Sequence, residues 1–507
     1  MRLLSRIPVH PLLFAAYAVL FLYAANLALV LPVDAEAPLA RAVAGAALVW
    51  AVCAVVLRDP RRGAVVATAS VVAFFAYGHV TGGLSAAGLD DRAQLVLWGL
   101  ALAAALVYAI RARGSLPSVT AGLNVFAIVL VVVSATSIVP YELGRAGRPS
   151  IDLAPPVRAS ATTRTTRDIY FLIFDRYGSA ESIQRRFNIT DNDLYDWLRG
   201  QGFQVPAHSH ANYRATDFSL AATLNMRYLD DLTQTIGRIS GDRTPAQAMF
   251  KDHAVGEFLK AEGYRYYQLG SWFGPTSSIP IADENLGLGI TSEFESVLND
   301  TTVLPAIDRV LGHTTPGLTF FERHREGTLF ELRELQRLST APGPKFVFAH
   351  ILLPHDPYVF RADGSYLTEA EAAAITDERS LYDGQLEFAN TQIKAIVQNL
   401  LSGPEATRPI VIIEGDEGPL MCRSVDCVGT SANYLRIRLG NLIAMYLPGT
   451  DVKLPDTFSS VNTFRTVFRT YFGADLPALQ DRSYTWPDND HIYDFEDITD
   501  LLNDPAP

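Results

Sequence analysis

Long apolar stretches fill the start of the chain, and each is long enough to span the roughly 30 Å of hydrocarbon in a bilayer. They run near residues 11–31, 39–57, 63–80, 93–111 and 119–139. Beyond them the chain has the mixed apolar and polar pattern of a soluble protein. We therefore predict a transmembrane bundle of five helices at residues 1–139, a Pro-, Ser- and Thr-rich linker at 140–167, and a soluble domain at 168–507.

The charges between the apolar stretches alternate in sign and predict the orientation. Arginines crowd the segments before the first stretch and after the second and fourth, whereas acids dominate the loops after the first and third (Arg2, Arg6, Arg58, Arg61, Arg62, Arg111 and Arg113 against Asp34, Glu36, Asp90 and Asp91). The positive-inside rule places the N-terminus in the cytoplasm. Five crossings would then place the soluble domain outside, and we expect a multi-pass protein of the plasma membrane.

Net charge also differs between the two regions. Residues 1–139 hold nine Arg and no Lys against five acids, while the whole chain carries −12. The remainder is therefore strongly acidic. Nucleic-acid binding needs basic patches that replace phosphate counterions, so this class of function is excluded.

Short apolar runs in the soluble region have the length of buried parallel strands. They are 169–174, 264–269, 346–349, 410–413 and 442–446, and helical patterns such as 193–201, 254–261 and 383–401 lie between them. Alternation of this kind predicts an α/β domain with a doubly wound, mostly parallel sheet.

Polar residues follow three of these predicted strands. The first run ends at Asp175, the third at His350, and the fourth at Glu414-Gly415-Asp416-Glu417-Gly418. Ligands of such sheets bind beyond the carboxyl ends of the strands. Carboxylates and a histidine delivered to one edge are suited to a divalent metal ion, although each alone is also compatible with a helix cap or a surface loop.

Two of the three cysteines, Cys422 and Cys427, lie five residues apart in the soluble region, and Cys53 lies in an apolar stretch. In an oxidising compartment we expect Cys422 and Cys427 to form a local disulfide; the alternative is two free thiols.

Four segments of the soluble region resemble the sulfatase and alkaline phosphatase superfamily, and most of all its membrane-bound lipoteichoic-acid-synthase and phosphoethanolamine-transferase branch. These segments are 168–175 (DIYFLIFD), 213–220 (YRATDFSL), 350–358 (HILLPHDPY) and 413–418 (IEGDEG). The branch also carries five N-terminal membrane helices. The resemblance covers about residues 168–475.

This resemblance implies a site with Thr216 as nucleophile and with Asp175, Thr216, Asp416 and Glu417 as metal ligands. It implies one or two divalent ions, which would be manganese, magnesium, calcium or zinc. The family usually has His where this chain has Glu417, which shifts the site towards oxygen-binding metals or marks a loss of activity.

Four further residues receive roles in this interpretation. His350 and His355 would bind phosphate oxygens or protonate the leaving group. Arg214 and His210 are candidate substrate-binding residues, although each is also compatible with an ordinary loop position.

Three functions remain open at this point. The first is transfer of a phospho-headgroup from a membrane lipid to an envelope glycan or lipid, through a phospho-threonine intermediate. The second is a phosphodiesterase or sulfatase that uses the same site, although the chain has no Cys-x-Pro-x-Arg signature of formylglycine sulfatases. The third is a non-catalytic envelope scaffold, for which the Glu417 substitution is the best argument.

Overall fold

The computed structural model describes residues 7–112, 116–148, 157–159, 165–288, 292–312, 319–420 and 431–503. The chain divides into two compact units. The first contains residues 1–148 and 291–323, and the second contains residues 149–290 and 324–507. The first unit is helical, and the second is built on a β-sheet.

The first unit begins with five apolar helices: α1 (His10–Ala25), α2 (Pro32–Leu57), α3 (Pro60–Ala86), α4 (Asp91–Arg111) and α5 (Leu116–Ala146). Four of them, α2 to α5, are long and apolar enough to cross a membrane. This is one fewer than the five predicted spans, counted over the described residues. The described part of α1 has 16 residues, or about 24 Å at 1.5 Å per residue, which is short of the hydrocarbon core.

The ends of these helices explain where the prediction of boundaries differed. α1 ends because the Asn26 side chain donates to the Leu22 carbonyl and a turn follows, so the apolar residues up to 31 are not helical. α5 continues through Pro140 to Ala146, past the predicted start of the linker. Hydropathy located the apolar segments but did not indicate these capping interactions.

Two short helices from the middle of the sequence also belong to the first unit. These are α13 (Glu293–Asp300) and α14 (Leu304–Leu311). Phe294 packs edge-to-face on Tyr23, and Arg309 makes two hydrogen bonds to Asp91 at 2.7 and 3.1 Å. Short amphipathic helices carry no membrane-spanning signature, so hydropathy gave no sign that these two helices belong to the first unit.

The chain between α13 and α14 is joined to α3 through the backbone. The Gly78 amide donates to the Thr301 carbonyl at 2.8 Å, and the Phe74 carbonyl accepts from the Val303 amide at 3.0 Å. A Cβ at Gly78 would lie 2.4 Å from the Asp300 carbonyl oxygen, so only glycine permits this approach.

The second unit contains a sheet of six strands in the order β4-β3-β5-β1-β6-β7. All neighbours are parallel except β6 and β7. The strands of the unit are β1 (Ile169–Phe174), β2 (His208–His210), β3 (Arg265–Leu269), β4 (Glu284–Leu286), β5 (Lys345–Ile351), β6 (Ile410–Glu414), β7 (Ile443–Tyr446), β8 (Thr457–Ser459), β9 (Tyr484–Thr485) and β10 (Glu496–Asp497).

Helices pack around this sheet. They are α6 (Ala180–Phe187), α7 (Leu194–Gly200), α8 (Thr216–Asn225), α9 (Asp230–Ile236), α10 (Thr244–Lys251), α11 (Ala254–Ala261), α12 (Gly274–Ser277), α15 (Phe320–Leu338, from His324 onwards), α16 (Glu369–Ala374), α17 (Glu378–Leu400), α18 (Ala432–Leu439), α19 (Thr463–Phe472) and α20 (Thr499–Asn503), with 3₁₀ turns at Glu405–Thr407 and Ser460–Asn462.

The predicted fold class is confirmed: an apolar helical region precedes a mostly parallel α/β sheet domain. All five predicted strands are present, and the β1 run matches its prediction at both ends. Every residue of β1, β5 and β6 is buried, as expected for central parallel strands covered on both faces.

Candidate metal and nucleophile site

The central strands β5, β1 and β6 bring three sequence-predicted groups to one edge of the sheet. The register pairs Ile173 of β1 with His350 of β5 on one side and with Glu414 of β6 on the other. Asp175 follows directly after β1, and Asp416 lies two residues after β6. The predicted edge is therefore present, because parallel strands end at the same level.

Asp175, His350 and Asp416 form a compact buried group. One potential ligand atom from each lies within 4.8 Å of the others. His350 Nε2 is 3.4 Å from Asp175 Oδ2, which suits two atoms that ligate one ion at roughly 2.1 Å each. The sequence had given His350 a role toward the phosphate; its position also suits a metal ligand.

Thr216 reaches this group from the N-terminus of α8. It is the first residue of the helix, after Ala215 in an extended conformation. Its side chain interacts with Asp416 and opposes the rise in the pKa of that carboxyl group. A helix N-terminus carries partial positive charge, which stabilises an anion at the Thr216 oxygen.

The carboxylates of the group have opposite pKa shifts. Burial opposes ionisation of Asp175, yet His355, His350 and Arg176 lower its pKa. Burial together with the charges of Asp175 and Glu417 raises the pKa of Asp416 well above its usual range. Two carboxylates this close repel each other when both are ionised, and a bound cation removes that repulsion.

Buried atoms without hydrogen-bond partners also support a divalent cation at this site. Asp175 Oδ1, Asp416 Oδ2, Glu417 Oε2 and His350 Nε2 are buried and have no hydrogen-bond partner among the described residues. Buried polar atoms are rarely left unsatisfied unless an ion or ligand completes them. Two carboxylates, one imidazole and one hydroxyl suit manganese, magnesium or zinc.

Glu417 stands apart from this group because arginines hold it. Arg438 makes a short ion pair with Glu417, and Arg176 Nε lies 3.7 Å from it. Burial outweighs the attraction of Arg438, so the pKa of Glu417 is raised. The predicted ligand role of Glu417 stays a prediction, and only its Oε2 is available for it.

Glycines allow the turn after β6 to place Asp416 and Glu417 at this edge. A Cβ at Gly415 would lie 2.2 Å from the Tyr177 carbonyl oxygen, and one at Gly418 would lie 2.0 Å from the Ile437 carbonyl oxygen. Both positions therefore exclude a side chain.

Hydrogen bonds on the far side of the ring orient His350. Its Nδ1 lies 2.9 Å from Thr276 Oγ1, whose hydroxyl also contacts Ser271 Oγ at 2.9 Å. With Nδ1–H donating to Thr276, the lone pair of Nε2 is directed at the metal position.

His355 lies at the other side of Asp175. Its Nε2 is 4.0 Å from Asp175 Oδ2, and its Nδ1 is hydrogen-bonded to the Asp356 carbonyl. Burial and the nearby Arg176 lower the pKa of His355. Neutral His355 with Nδ1 protonated presents Nε2 as a proton acceptor.

A second buried histidine adjoins His355 through an indole ring. Trp272 packs edge-to-face on His355 and donates its Nε1–H to His324 Nδ1. Burial first, and then His355, lowers the pKa of His324 to about 3. The sequence did not indicate this contact between Trp272 and His324, which lie 52 residues apart.

Arg214 and His210 have other contacts in the second unit. The Arg214 guanidinium donates to the Trp486 carbonyl at 2.7 Å and stacks over the Trp486 ring. His210 belongs to β2, where burial lowers its pKa to about 4. The substrate role of both residues stays a prediction. Cys422 and Cys427 lie outside the described residues.

The chain matches no family model and no curated protein. It is similar to several solved structures, each at low identity. The C-terminal periplasmic domain of EcEptC from Escherichia coli is 11% identical, with a TM-score of 0.41 over 65% of this chain and 93% of that chain. The same domain has also been solved with zinc.

Two further structures extend this likeness. The soluble domain of lipooligosaccharide phosphoethanolamine transferase A from Neisseria meningitidis is 13% identical, with a TM-score of 0.37 over 62% of this chain and 92% of that chain. An alkaline phosphatase superfamily protein from Vibrio parahaemolyticus is 11% identical, with a TM-score of 0.39 over 68% and 80%.

Proposed function

We propose that the chain is a divalent-metal-dependent phosphotransferase that takes a phospho-headgroup from a membrane lipid onto Thr216 and passes it to an envelope glycan or lipid. The observation that carries this proposal is the compact buried Asp175–His350–Asp416 group, with Thr216 at a helix N-terminus and its side chain interacting with Asp416.

Asp175, Asp416 and His350 would hold the cation, with the Thr216 oxygen beside them. When bound, a divalent cation stabilises an alkoxide and neutralises charge on a phosphoryl oxygen. The rest of the chemistry is assigned to side chains of this chain.

In the first half-reaction, a bond forms between Thr216 Oγ and phosphorus while the bond from phosphorus to the diacylglycerol oxygen breaks. The Thr216 proton passes to the ionised Asp416 carboxylate, with which its side chain interacts. The leaving oxygen takes a proton from the imidazolium form of His355, whose lowered pKa makes it a stronger acid. In the second half-reaction, neutral His355 accepts the proton of the acceptor hydroxyl through Nε2 as the acceptor oxygen bonds to phosphorus. The bond between Thr216 and phosphorus breaks, and Asp416 returns its proton to Thr216 Oγ.

The arginine partners of Glu417 weigh against the scaffold alternative. Glu417 in place of the family's usual histidine was the main argument for lost activity. Arg438 balances its charge, so the pair has the same net charge as a neutral histidine. A substitution that is compensated in this way is compatible with a working cation site.

The proposed membrane topology rests on the alternating charges of the loops between the apolar helices. With α1 as a fifth span, the N-terminus would be cytoplasmic, and the sheet domain would lie outside the plasma membrane, where lipid donors and envelope acceptors meet. A tethered domain encounters membrane lipid at high effective concentration.

Mass spectrometry of the nucleophile peptide tests this function. Trypsin cuts after Arg214 and Arg227, releasing residues 215–227 with Thr216, Ser219 and Thr223 as the hydroxyl side chains. After incubation of the full chain with phospholipid vesicles and no acceptor, we expect one phospho-headgroup on Thr216. It should persist in Thr216→Ser and vanish in Thr216→Ala.

Ser219 supplies an internal control, because its hydroxyl already donates to the Tyr213 carbonyl at 2.7 Å. An adduct on Ser219, or no adduct on Thr216 in metal-loaded protein, would overturn the proposal. Label released only as free headgroup when an acceptor is present would favour the hydrolase.

A further inference from the structure

A buried histidine of the second unit, His324, has one ring nitrogen without a hydrogen-bond partner. Its side chain is 0% exposed, and its Nε2 has no such partner among the described residues. Buried polar atoms are rarely left unsatisfied unless a ligand, an ion or water completes them. His324 lies between β4 and β5, outside the four segments that resemble the superfamily. The resemblance therefore assigns it no role.

The hydrogen bond from Trp272 determines what His324 Nε2 can do. The indole Nε1–H can only donate, and it donates to His324 Nδ1. Nδ1 is therefore the acceptor of a neutral ring, and Nε2 carries the hydrogen. A protonated ring would carry a hydrogen on both nitrogens and would set Nδ1–H against the indole N–H. His324 Nε2–H is thus a neutral donor, and in this form it cannot ligate a metal ion.

Trp272 and His324 lie at the edge of the sheet that carries the proposed cation site. β3 ends at Leu269, which pairs with the residue before His350 in β5, and Trp272 follows three residues later. The Trp272 ring packs edge-to-face on His355 with the ring centroids 5.5 Å apart, and on His324 at 5.8 Å. One indole ring therefore contacts both histidines.

The pattern of α15 turns His324 towards the interior beside this edge. Buried side chains follow it at three- and four-residue intervals along one helix face: Thr328, Glu331, Leu335 and Leu338. Burial and then His355 lower the pKa of His324, while Asp356 and Asp175 oppose this shift. The ring is therefore within electrostatic range of the acids at the site.

A negatively charged oxygen is the acceptor that suits this donor. Arg176 already adds positive charge beside Asp175, and a bound cation would add more. A neutral N–H contributes a hydrogen bond to an anionic oxygen without adding further charge to this buried group. Hydrogen bonds to charged groups are also stronger than those between neutral groups.

We propose that His324 Nε2–H donates to a non-bridging oxygen of the phosphoryl group that Thr216 attacks, and that Trp272 holds the imidazole in the donor form. In placing a phosphoryl group at this edge the inference rests on the proposed function; the direction of the Nε2–H bond does not.

Binding of inorganic phosphate to the full-length, zinc-loaded protein in detergent tests this assignment by calorimetry. His324→Phe removes the donor and should weaken phosphate binding about tenfold. In His324→Gln the amide oxygen can accept from Trp272 while the amide nitrogen donates, so binding should stay within about threefold of wild type. Thr328→Val, one turn further along the same face of α15, is the matched control and should bind like wild type.

Nitrogen-15 NMR of histidine-labelled, zinc-loaded protein measures the donor directly. The histidine resonances that are absent in His324→Gln belong to His324. They should show hydrogen on Nε2 and none on Nδ1 at neutral pH, and phosphate should shift the Nε2–H resonance. A ring that only packs in the core would show no shift with phosphate.

Unchanged phosphate affinity in His324→Phe would overturn the inference and leave water as the partner of Nε2. So would a wild type that binds no phosphate, or an Nε2 without hydrogen. Loss of zinc from His324→Gln would make His324 a metal ligand instead. Phosphate binding needs no nucleophile, so weaker binding in His324→Phe without any adduct on Thr216 would contradict only the proposed function. An adduct with unchanged phosphate affinity would contradict only the role of His324.

Discussion

The turn that follows β6 contains two adjacent acids, Asp416 and Glu417, whose buried negative charges have different partners. On one side, Glu417 is paired with Arg438 and Arg176, so its charge is balanced within the chain. On the other side, Asp416 faces Asp175 and His350 and keeps a buried oxygen without a partner in the described structure. These two adjacent acids differ in what neutralises them.

The difference shows how the fold can hold several acids at one edge. A buried carboxylate must be protonated, paired with a cation or bound to a metal, because desolvating an isolated charge is too costly. Glu414, the last residue of β6, is protonated at neutral pH, because burial raises its pKa to about 8. The Thr463 hydroxyl donates to it. Asp416 is the acid left for an external cation.

The largest effect is expected when Glu417 loses its arginine. Arg438→Met should lower the free energy of unfolding of the sheet domain by about 3–5 kcal/mol, because one partner of a buried ion pair is removed. Hydrogen exchange of the β6 amides in the full-length protein measures this change. Arg436→Met, two residues away on α18, is the matched control, since that guanidinium donates to the Leu501 carbonyl.

The double variant Glu417→Leu/Arg438→Met sharpens the same test. Replacing both members of a buried pair by apolar groups is often neutral, so most of the lost stability should return. If Arg438→Met costs no more than Arg436→Met, the pairing assigned to Glu417 is wrong.

The next largest effect concerns pH and Glu414. Its pKa rises from 4.5 to about 8 on folding, so the native state holds the proton more tightly than the unfolded state. This stabilising contribution is complete below pH 4.5 and is lost as pH rises through 8. Wild type should therefore lose about 2 kcal/mol more stability between pH 6 and 8 than Glu414→Gln does.

In Glu414→Gln the new side-chain amide can still accept from the Thr463 hydroxyl, so the variant removes the titration and keeps the hydrogen bond. Exposed Glu387→Gln on α17 controls for the loss of one charge. Equal pH slopes for wild type and Glu414→Gln would show that Glu414 is ionised in the native protein.

The smallest effect comes from placing a histidine at position 417. Glu417→His alone leaves Arg438 buried without its carboxylate and should destabilise the domain. Combined with Arg438→Met, the imidazole is expected to strengthen zinc binding about tenfold, because nitrogen ligands suit zinc. Competition with a zinc chelator measures the change, and unaltered zinc affinity in the double variant would place residue 417 away from the ion.

Periodicity and strand-end chemistry predicted the sheet domain well. Buried parallel strands are continuous apolar runs, and whatever follows them must lie at one edge, so Asp175, His350 and Asp416 could be placed together from sequence. The partners of Glu417 could not, because Arg438 comes from a helix whose sequence has no distinguishing pattern. Arg176 follows Asp175 directly in the chain, but nothing in the sequence indicated that it lies near Glu417.

The helical unit shows the opposite balance. Hydropathy located the apolar helices, but it overestimated the length of α1. It also gave no sign that α13 and α14 belong to the same unit. Those contacts depend on specific groups, such as the Gly78 amide and the Arg309–Asp91 ion pair, which periodicity does not report.

Metal content of the purified full-length protein tests the central claim most directly. After dialysis against manganese or zinc and removal of loose ions, elemental analysis should find at least one tightly held divalent ion per chain in wild type and in Glu417→Gln. The ion should be absent in Asp416→Asn. Both variants remove one of the two adjacent acids, so only the position of the lost acid differs. Equal metal content in Asp416→Asn and wild type, or no retained ion in wild type, would contradict the account.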